Sequence, residues 1–301
     1  MKKDYRMPNF LIVGAAKAGT TSIYEYIKNH PEIFLTEPKE PTFFSYADED
    51  KPVFSMHKEV DFVTKIKDYS KLYDSVENQK CWGEASTPYL YLYEKTIDNI
   101  KRLVPDYNNL KIIIILRNPV ERAYSQYMMR IRDLTEHMSF EDAINDEKNR
   151  MENNAHFDFF YLDRGLYYKQ VKAYLENFKN VNIILYDDLR KNNADIIKEI
   201  LTFLRVDEKY IPDIRKEFNV SGKSKIRFLR SLIIDDYIGK NLLKKILPKS
   251  IRKKIQEVID KYNTQKIPME QKDRDFLKKY YKNDIIKLES LIGRDLSSWY
   301  L

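Results

Sequence analysis

Asn9-Phe-Leu-Ile-Val-Gly14-Ala-Ala-Lys17-Ala-Gly19-Thr20-Thr21-Ser-Ile23-Tyr-Glu-Tyr-Ile27 is the stretch from which the rest of the chain is read. Residues 10–13 are a short apolar run with two β-branched side chains, 14–19 a small-residue loop around one lysine, and Thr20 onward has helical spacing, with Ile23 and Ile27 on one face. The order is strand, glycine loop, helix. Its physical use is anion binding: glycines let the backbone approach, several N–H groups converge, and the helix N-terminus adds partial positive charge. A phosphate or sulfate is the expected ligand.

A Walker A loop reads Gly, four residues, then Gly-Lys-Ser/Thr. Here Gly14 and Gly19 keep that spacing, but Thr20 and Thr21 follow, and the lysine, Lys17, has moved inside the loop. Many strand-to-helix turns carry a glycine and a capping threonine without any ligand, so the loop alone leaves both readings open and the rest of the chain decides between them.

The chain has 301 residues, 43% of them hydrophobic, enough for one large α/β domain with a real core. The net charge of +7 favours an anionic ligand or acceptor without naming one. Cys81 is the single cysteine, so no intramolecular disulfide can form; it reads as a small buried hydrophobe rather than a nucleophile. His30, His57, His137 and His156 show no metal-ligand spacing, and no metal is expected. The apolar run near the N-terminus is too short for a signal-peptide core and meets Lys17 at once, and no stretch approaches the length of a membrane span. A soluble, cytoplasmic protein is expected.

Further along, Thr36-Glu37-Pro38-Lys39-Glu40-Pro41-Thr42-Phe43-Phe44 holds two prolines that exclude helix and fix an extended loop. Glu40 there is either a positioned carboxylate or an ordinary solvated charge. Residues 46–80 read as mixed loop and short helix, and 82–89 as a short strand running into a polar turn. Residues 93–104 form an amphipathic helix that Pro105 ends. The β-branched run 111–116 is expected of a strand buried on both faces of a parallel sheet. It ends in Arg117-Asn118-Pro119, and a helix over 120–132 carries Ser125.

Arg117 thus sits at the carboxyl end of a central strand, where open α/β sheets place ligands, and with Ser125 it can share one phosphate. A magnesium-dependent nucleoside triphosphatase commonly needs an aspartate at such a strand end; an arginine suggests instead two anionic groups bound without a metal. Helices over 139–151, 165–178 and 196–204 and a strand over 181–186 complete an alternating βα pattern. The expected fold is a P-loop-like three-layer α/β domain with a mostly parallel central sheet flanked by helices. It is expected as a single domain over 1–301, with a sheet core at about 8–205 and a basic helical part at about 206–301 in which 226–247, 251–262 and 274–291 are helical.

Taken together these features resemble the sulfotransferases that use 3′-phosphoadenosine 5′-phosphosulfate (PAPS). The 14–21 loop resembles that family's 5′-phosphosulfate loop, and Leu116-Arg117-Asn118-Pro119-Val120-Glu121-Arg122-Ala123-Tyr124-Ser125 resembles its 3′-phosphate motif. Lys39 to Phe44 resembles the segment carrying the catalytic glutamate in the bacterial and heparan-sulfate-type carbohydrate branches. Gly83-Glu84 with Thr87-Pro88 resembles a second active-site segment, and Ser221-Gly222-Lys223 the loop that closes over the cofactor.

The resemblance implies PAPS as donor and adenosine 3′,5′-bisphosphate as product, with no metal required. Lys17, Ala18, Gly19, Thr20, Thr21, Arg117, Ser125, Ser221, Gly222 and Lys223 would bind the cofactor, and Glu40, Lys17 and Glu84 would be catalytic, with Glu40 or Glu84 as base. Lys39, Thr42, Phe43 and Ser86 would bind the acceptor. The family often has histidine where this chain has Thr42 and lysine where it has Ala85 and Ser86, which bears on the acceptor rather than on the cofactor. The implied acceptor is a carbohydrate, polysaccharide or glycolipid rather than a nucleic acid, with a small alcohol or amine as the other option. The C-terminal lysines read as solvated helix faces first and as a peripheral membrane contact second. A magnesium-dependent P-loop nucleotide kinase and a non-catalytic binder of acidic polymers are the alternatives.

Overall fold

A computed structural model describes residues 5–56, 60–133, 135–210 and 268–301. Five parallel strands, β1 (Phe10–Gly14), β2 (Ile33–Leu35), β3 (Cys81–Ala85), β4 (Lys111–Leu116) and β5 (Asn180–Leu185), form one sheet in the order β2-β3-β1-β4-β5. β1 lies at the centre with every residue buried, and the Ile-rich β4 beside it is buried from Ile112 to Leu116. Runs without apolar–polar alternation suit strands covered on both faces. The strand order reverses between β3 and β4 around β1, which places the ligand crevice of an open α/β sheet at the carboxyl ends of these strands.

Helices cover the sheet: α1 (Thr20–Ile27), α2 (Ile66–Lys71), α3 (Pro88–Tyr91), α4 (Tyr93–Leu103), α5 (Pro119–Arg132), α6 (Phe140–Asn145), α7 (Glu147–Glu152), α8 (Tyr167–Asn177), α9 (Tyr186–Lys191), α10 (Asn193–Leu204) and α11 (Gln271–Ile292). The expected three-layer α/β architecture holds. α5 starts as its sequence asks, with Pro119 in the first turn and the Asn118 side chain accepting from the Val120 amide. Leu277, Tyr281, Ile285 and Leu288 of α11 join the core formed by the sheet, and the Tyr281 hydroxyl donates to the carbonyls of Tyr161 (3.1 Å) and Leu162 (2.9 Å).

Several local expectations change. The three-residue strand β2, which the sequence reading left unassigned, pairs with β3 at the sheet edge. The helix expected over 139–151 is two helices meeting at Asp146, which ends α6 and starts α7 while accepting from Arg150 Nε at 2.9 Å. The helix expected from Gly165 begins at Tyr167 after a 3₁₀ turn. Tyr186, expected to end a strand, begins α9. The expected helices over 226–247 and 251–262 lie outside the described residues.

Candidate active site

The loop between β1 and α1 is shaped by its glycines. Gly19, the N-cap of α1, has φ +95°, a conformation that favours glycine, and a Cβ there would crowd the Tyr186 ring at 3.0 Å and Leu189 at 3.1 Å. Gly19 supplies no capping side chain, which leaves the first-turn amides of α1 available to an anion. The loop is tied to the neighbouring strand by Ala15 N–H donating to the Ile115 carbonyl at 2.7 Å.

Lys17 takes a left-handed φ of +66° and carries its ammonium into the cleft, where it donates to the Met129 thioether at 3.4 Å. Among the described residues no carboxylate lies within ion-pair distance of it. Burial, followed by the positive charges of Arg132 and Arg117, lowers its pKa to about 8. Arg117, at the end of β4, donates to the Lys17 carbonyl at 3.0 Å and lies over the Tyr186 ring at 5.0 Å. Burial pushes its pKa down as well, the signature of a guanidinium held away from water.

These groups border a cleft of about 320 Å³ at the carboxyl ends of β1 and β4. Thr20, Thr21 and Ser22 of α1 line one wall, and Ser125, Gln126, Met129 and Arg130 of α5 another. The i, i+4 spacing of Ser125 with Met129 and of Gln126 with Arg130 puts them on one helix face. Glu40 reaches the same cleft from the 36–44 loop, at φ +63°. Its carboxylate is held by two donors, Lys39 Nζ at 3.3 Å and Thr87 Oγ1 at 3.2 Å, and Lys39 also donates to Thr21 Oγ1 at 2.8 Å. Cationic loop, strand-end arginine and carboxylate therefore face one space.

Not every expected residue is there. Ala18 is buried, and its amide closes the loop's own turn onto the Ala15 carbonyl. Glu84 is fully buried and does not line the cleft. It accepts from Ser86 Oγ (2.6 Å), Tyr69 (3.2 Å) and Tyr89, and burial raises its pKa to about 7. Ser86, Thr42 and Phe43, expected to touch the acceptor, are equally withdrawn: the Thr42 amide donates to Ser86 Oγ at 3.0 Å, and Phe43 stacks on Tyr69 at 4.2 Å. Alternation along β3 and the turn after it puts Thr87, not Ser86, on the cleft. Ser221, Gly222 and Lys223 lie outside the described residues.

The sequence reading missed Ser22, Gln126, Met129, Arg130, Asp158 and Tyr186, and named Thr87 only as part of the second active-site segment. The α5 residues could have been found from their spacing to Ser125. Asp158 could not, because it arrives through a 3₁₀ turn far along the chain. Burial alone would raise the Asp158 carboxyl, but Arg164 (2.7 Å) and Arg130 (3.5 Å) outweigh it and hold its pKa below the usual range.

The fold and site define an α/β anion-binding protein whose lysine-centred loop and strand-end arginine share a cleft with a positioned carboxylate. The sulfotransferase domain model matches residues 7–281, and the chain belongs to that family. A sulfotransferase structure from Alicyclobacillus acidocaldarius is similar at 29% identity, covering 98% of this chain and 100% of that one with a TM-score of 0.75. The human bifunctional heparan sulfate N-deacetylase/N-sulfotransferase 3 is 27% identical over 305 residues, which are 98% of this chain and 31% of that protein. The membrane-associated sulfotransferase kil1 of Dictyostelium discoideum is 35% identical over 153 residues, 48% of this chain and 29% of that protein. The chain thus spans about a third of the length of these curated relatives. Among the described residues no helix is long and apolar enough to cross a membrane.

Proposed function

We propose that the protein transfers the sulfuryl group of PAPS to a hydroxyl or amine of an acceptor, most simply a carbohydrate, polysaccharide or glycolipid. The observation that carries the proposal is the shared cleft: Lys17 and Arg117 on one side of the loop and Glu40 facing them. The cleft's composition fits the donor. The glycine loop, the uncapped α1 terminus and Lys17 suit a phosphosulfate, while Arg117 and Ser125 suit a second phosphate. When bound, the donor supplies an activated sulfuryl group and a leaving group.

The chain's own groups do the rest. Glu40, oriented by Lys39 and Thr87, takes the proton of the acceptor's hydroxyl or amine as that atom attacks sulfur in line. Lys17 with Thr20 and Thr21 stabilises negative charge developing on the departing phosphate side. Arg117 and Ser125 fix the register of the nucleotide. A kinase reading is disfavoured by the same residues, since the lysine lies inside the loop and β4 ends in arginine.

The same proposal treats 1–301 as one domain, supported by α11 sharing the sheet's core, and sets it in the cytoplasm, supported by the free, buried Cys81. The basic segments assigned to peripheral membrane contact fall outside the described residues, apart from α11. The test is incubation with ³⁵S-labelled PAPS and an acceptor panel of de-N-acetylated and intact polysaccharides, lipid-linked sugars, simple alcohols and amines, read by mass spectrometry. Label appearing on an acceptor is the expected result. Protection against heat by ATP with magnesium, but not by adenosine 3′,5′-bisphosphate, would overturn the reading.

A further inference from the structure

Glu40 and Thr42 both occupy the left-handed backbone region, at φ +63° and +56°. Non-glycine residues stay there only where their surroundings hold them. Val63 N–H donates to the Pro41 carbonyl at 2.9 Å and Asn99 Nδ2 to the Phe44 carbonyl at 2.9 Å, and the rest of the hold on this segment comes through two of its own amides. Thr42 N–H donates to Ser86 Oγ at 3.0 Å and Phe44 N–H to the Tyr89 hydroxyl at 3.2 Å, while Thr42 Oγ1 donates back to the Glu40 carbonyl at 3.1 Å.

A hydroxyl has one proton, so a hydroxyl that accepts from an amide must give its own proton elsewhere. Both hydroxyls give theirs to one carboxylate: Ser86 to Glu84 Oε2 at 2.6 Å and Tyr89 to Glu84 Oε1. Tyr69 adds a third donation at 3.2 Å. In its ionised form, which with a pKa of about 7 predominates above neutral pH, Glu84 can only accept, so it then fixes which way both hydroxyls point and leaves their lone pairs to the 42–44 backbone. Thr87, next to Ser86, then donates to the Glu40 carboxylate itself. A fully buried carboxylate, costly to place among aromatic rings, thus sits where it organises the whole segment.

We propose that Glu84 is a positioning residue for the transfer step: through Ser86 and Tyr89 it holds the 40–44 backbone in the form that presents the Glu40 carboxylate to the cleft. The role rests on Glu40 being the base, and it replaces the direct catalytic role expected for Glu84 from sequence. Glu84 touches neither donor nor acceptor. Its loss acts on the geometry of Glu40 and leaves the anion sites around Lys17 and Arg117 alone.

The test uses the full chain with Glu84→Gln, Ser86→Ala and the double variant. In Glu84→Gln the new amide group must donate to one of the hydroxyls, turning that hydroxyl's proton toward the loop amide it should accept from. Three readouts are taken: amide hydrogen exchange across 41–45, release of labelled inorganic sulfate from PAPS with water as acceptor, and calorimetric binding of adenosine 3′,5′-bisphosphate. Water gives its proton to Glu40, its oxygen bonds to sulfur, the bond from sulfur to the bridging oxygen breaks, and the bisphosphate leaves. Exchange is expected to rise about tenfold at residue 42 in Ser86→Ala and at residue 42 or 44 in Glu84→Gln, while β4 amides stay unchanged. Sulfate release falls about 100-fold, the loss expected for a misplaced base, with nucleotide affinity within about twofold of wild type.

The double variant falls no further than the worse single, because both changes break one chain of bonds. Unchanged exchange at 42 and 44 in Glu84→Gln overturns the proposal whatever the sulfate release, and so do losses that multiply in the double variant. Glu40→Gln with wild-type sulfate release overturns the base assignment separately, since the exchange result does not depend on it.

Discussion

Lys17 makes a pH prediction that an ordinary surface lysine would not. Burial and the nearby arginines lower its pKa from 10.5 to about 8, so in the free protein it is about 90% charged at pH 7 and about 10% charged at pH 9. A bound phosphosulfate or phosphate pays back the charged form, so binding above pH 8 takes up a proton. Apparent affinity scales with the competent fraction, and the Kd for adenosine 3′,5′-bisphosphate rises about tenfold between pH 7 and pH 9. With a pKa of 10.5 the lysine would stay charged and the Kd would be flat. The assay is calorimetry at both pH values, at fixed ionic strength, in two buffers of different ionisation enthalpy. Uptake near one proton per ligand is expected at pH 9 and almost none at pH 7. Lys17→Arg keeps its charge throughout and should flatten the slope. A flat Kd in the wild type, or an unchanged slope in Lys17→Arg, refutes the placement of this ammonium against the bound anion.

Four further outcomes follow from the same geometry. Arg117→Ala removes a charged donor at the end of β4 and should weaken bisphosphate binding by about 10- to 100-fold in calorimetry. Glu40→Gln should lower transfer by about 10²- to 10⁴-fold in a radiolabel assay while leaving bisphosphate affinity unchanged. Lys39→Met, which frees the Glu40 carboxylate from one of its two donors, should lower turnover with little effect on that affinity; a loss of affinity matching that of Lys17→Met would show the two lysines share one job. Gly83→Ala places a Cβ 2.2 Å from the Phe10 carbonyl oxygen on the paired strand, and should destabilise the protein by about 3 kcal/mol or more in urea unfolding.

What the sequence made legible was what local chemistry dictates. The β1–loop–α1 unit and β4 are read directly because a β-branched run has one good use and the glycine spacing another. Arg117 then follows from being the residue at which β4 stops. β2 was missed because three residues carry no period, and the break between α6 and α7 because Asp146 suits both a helix end and a helix start. The withdrawal of Glu84, Ser86, Thr42 and Phe43 from the cleft has a common cause. Each lies within three residues of Glu40 or Thr87, which do line the cleft, and which residue of each segment turns inward is settled by the packing of β3 and the 36–44 loop under the aromatic cluster of Tyr69, Tyr89 and Phe44. Asp158 enters the site only once the turn at 157–159 is folded against α5, so no local pattern marks it.

In a Walker loop the lysine follows the second glycine and rides on the first turn of the helix. Here that position is Thr20, and the α1 wall of the cleft presents hydroxyls. The α1 side is therefore free to take a different cation: Lys39, which spans Thr21 and Glu40. Lys17 approaches from within the loop instead and lies against Met129 of α5, a neutral, weakly accepting neighbour that leaves its charge uncommitted. Under the proposed mechanism one lysine orients the carboxylate and the other answers the bound anion. A single lysine on α1 could not serve both, because pairing with Glu40 would neutralise the charge that the departing phosphate needs. Moving it into the loop separates the two tasks in space, which is what a reaction needing a base and an anion-stabilising cation in one cleft requires.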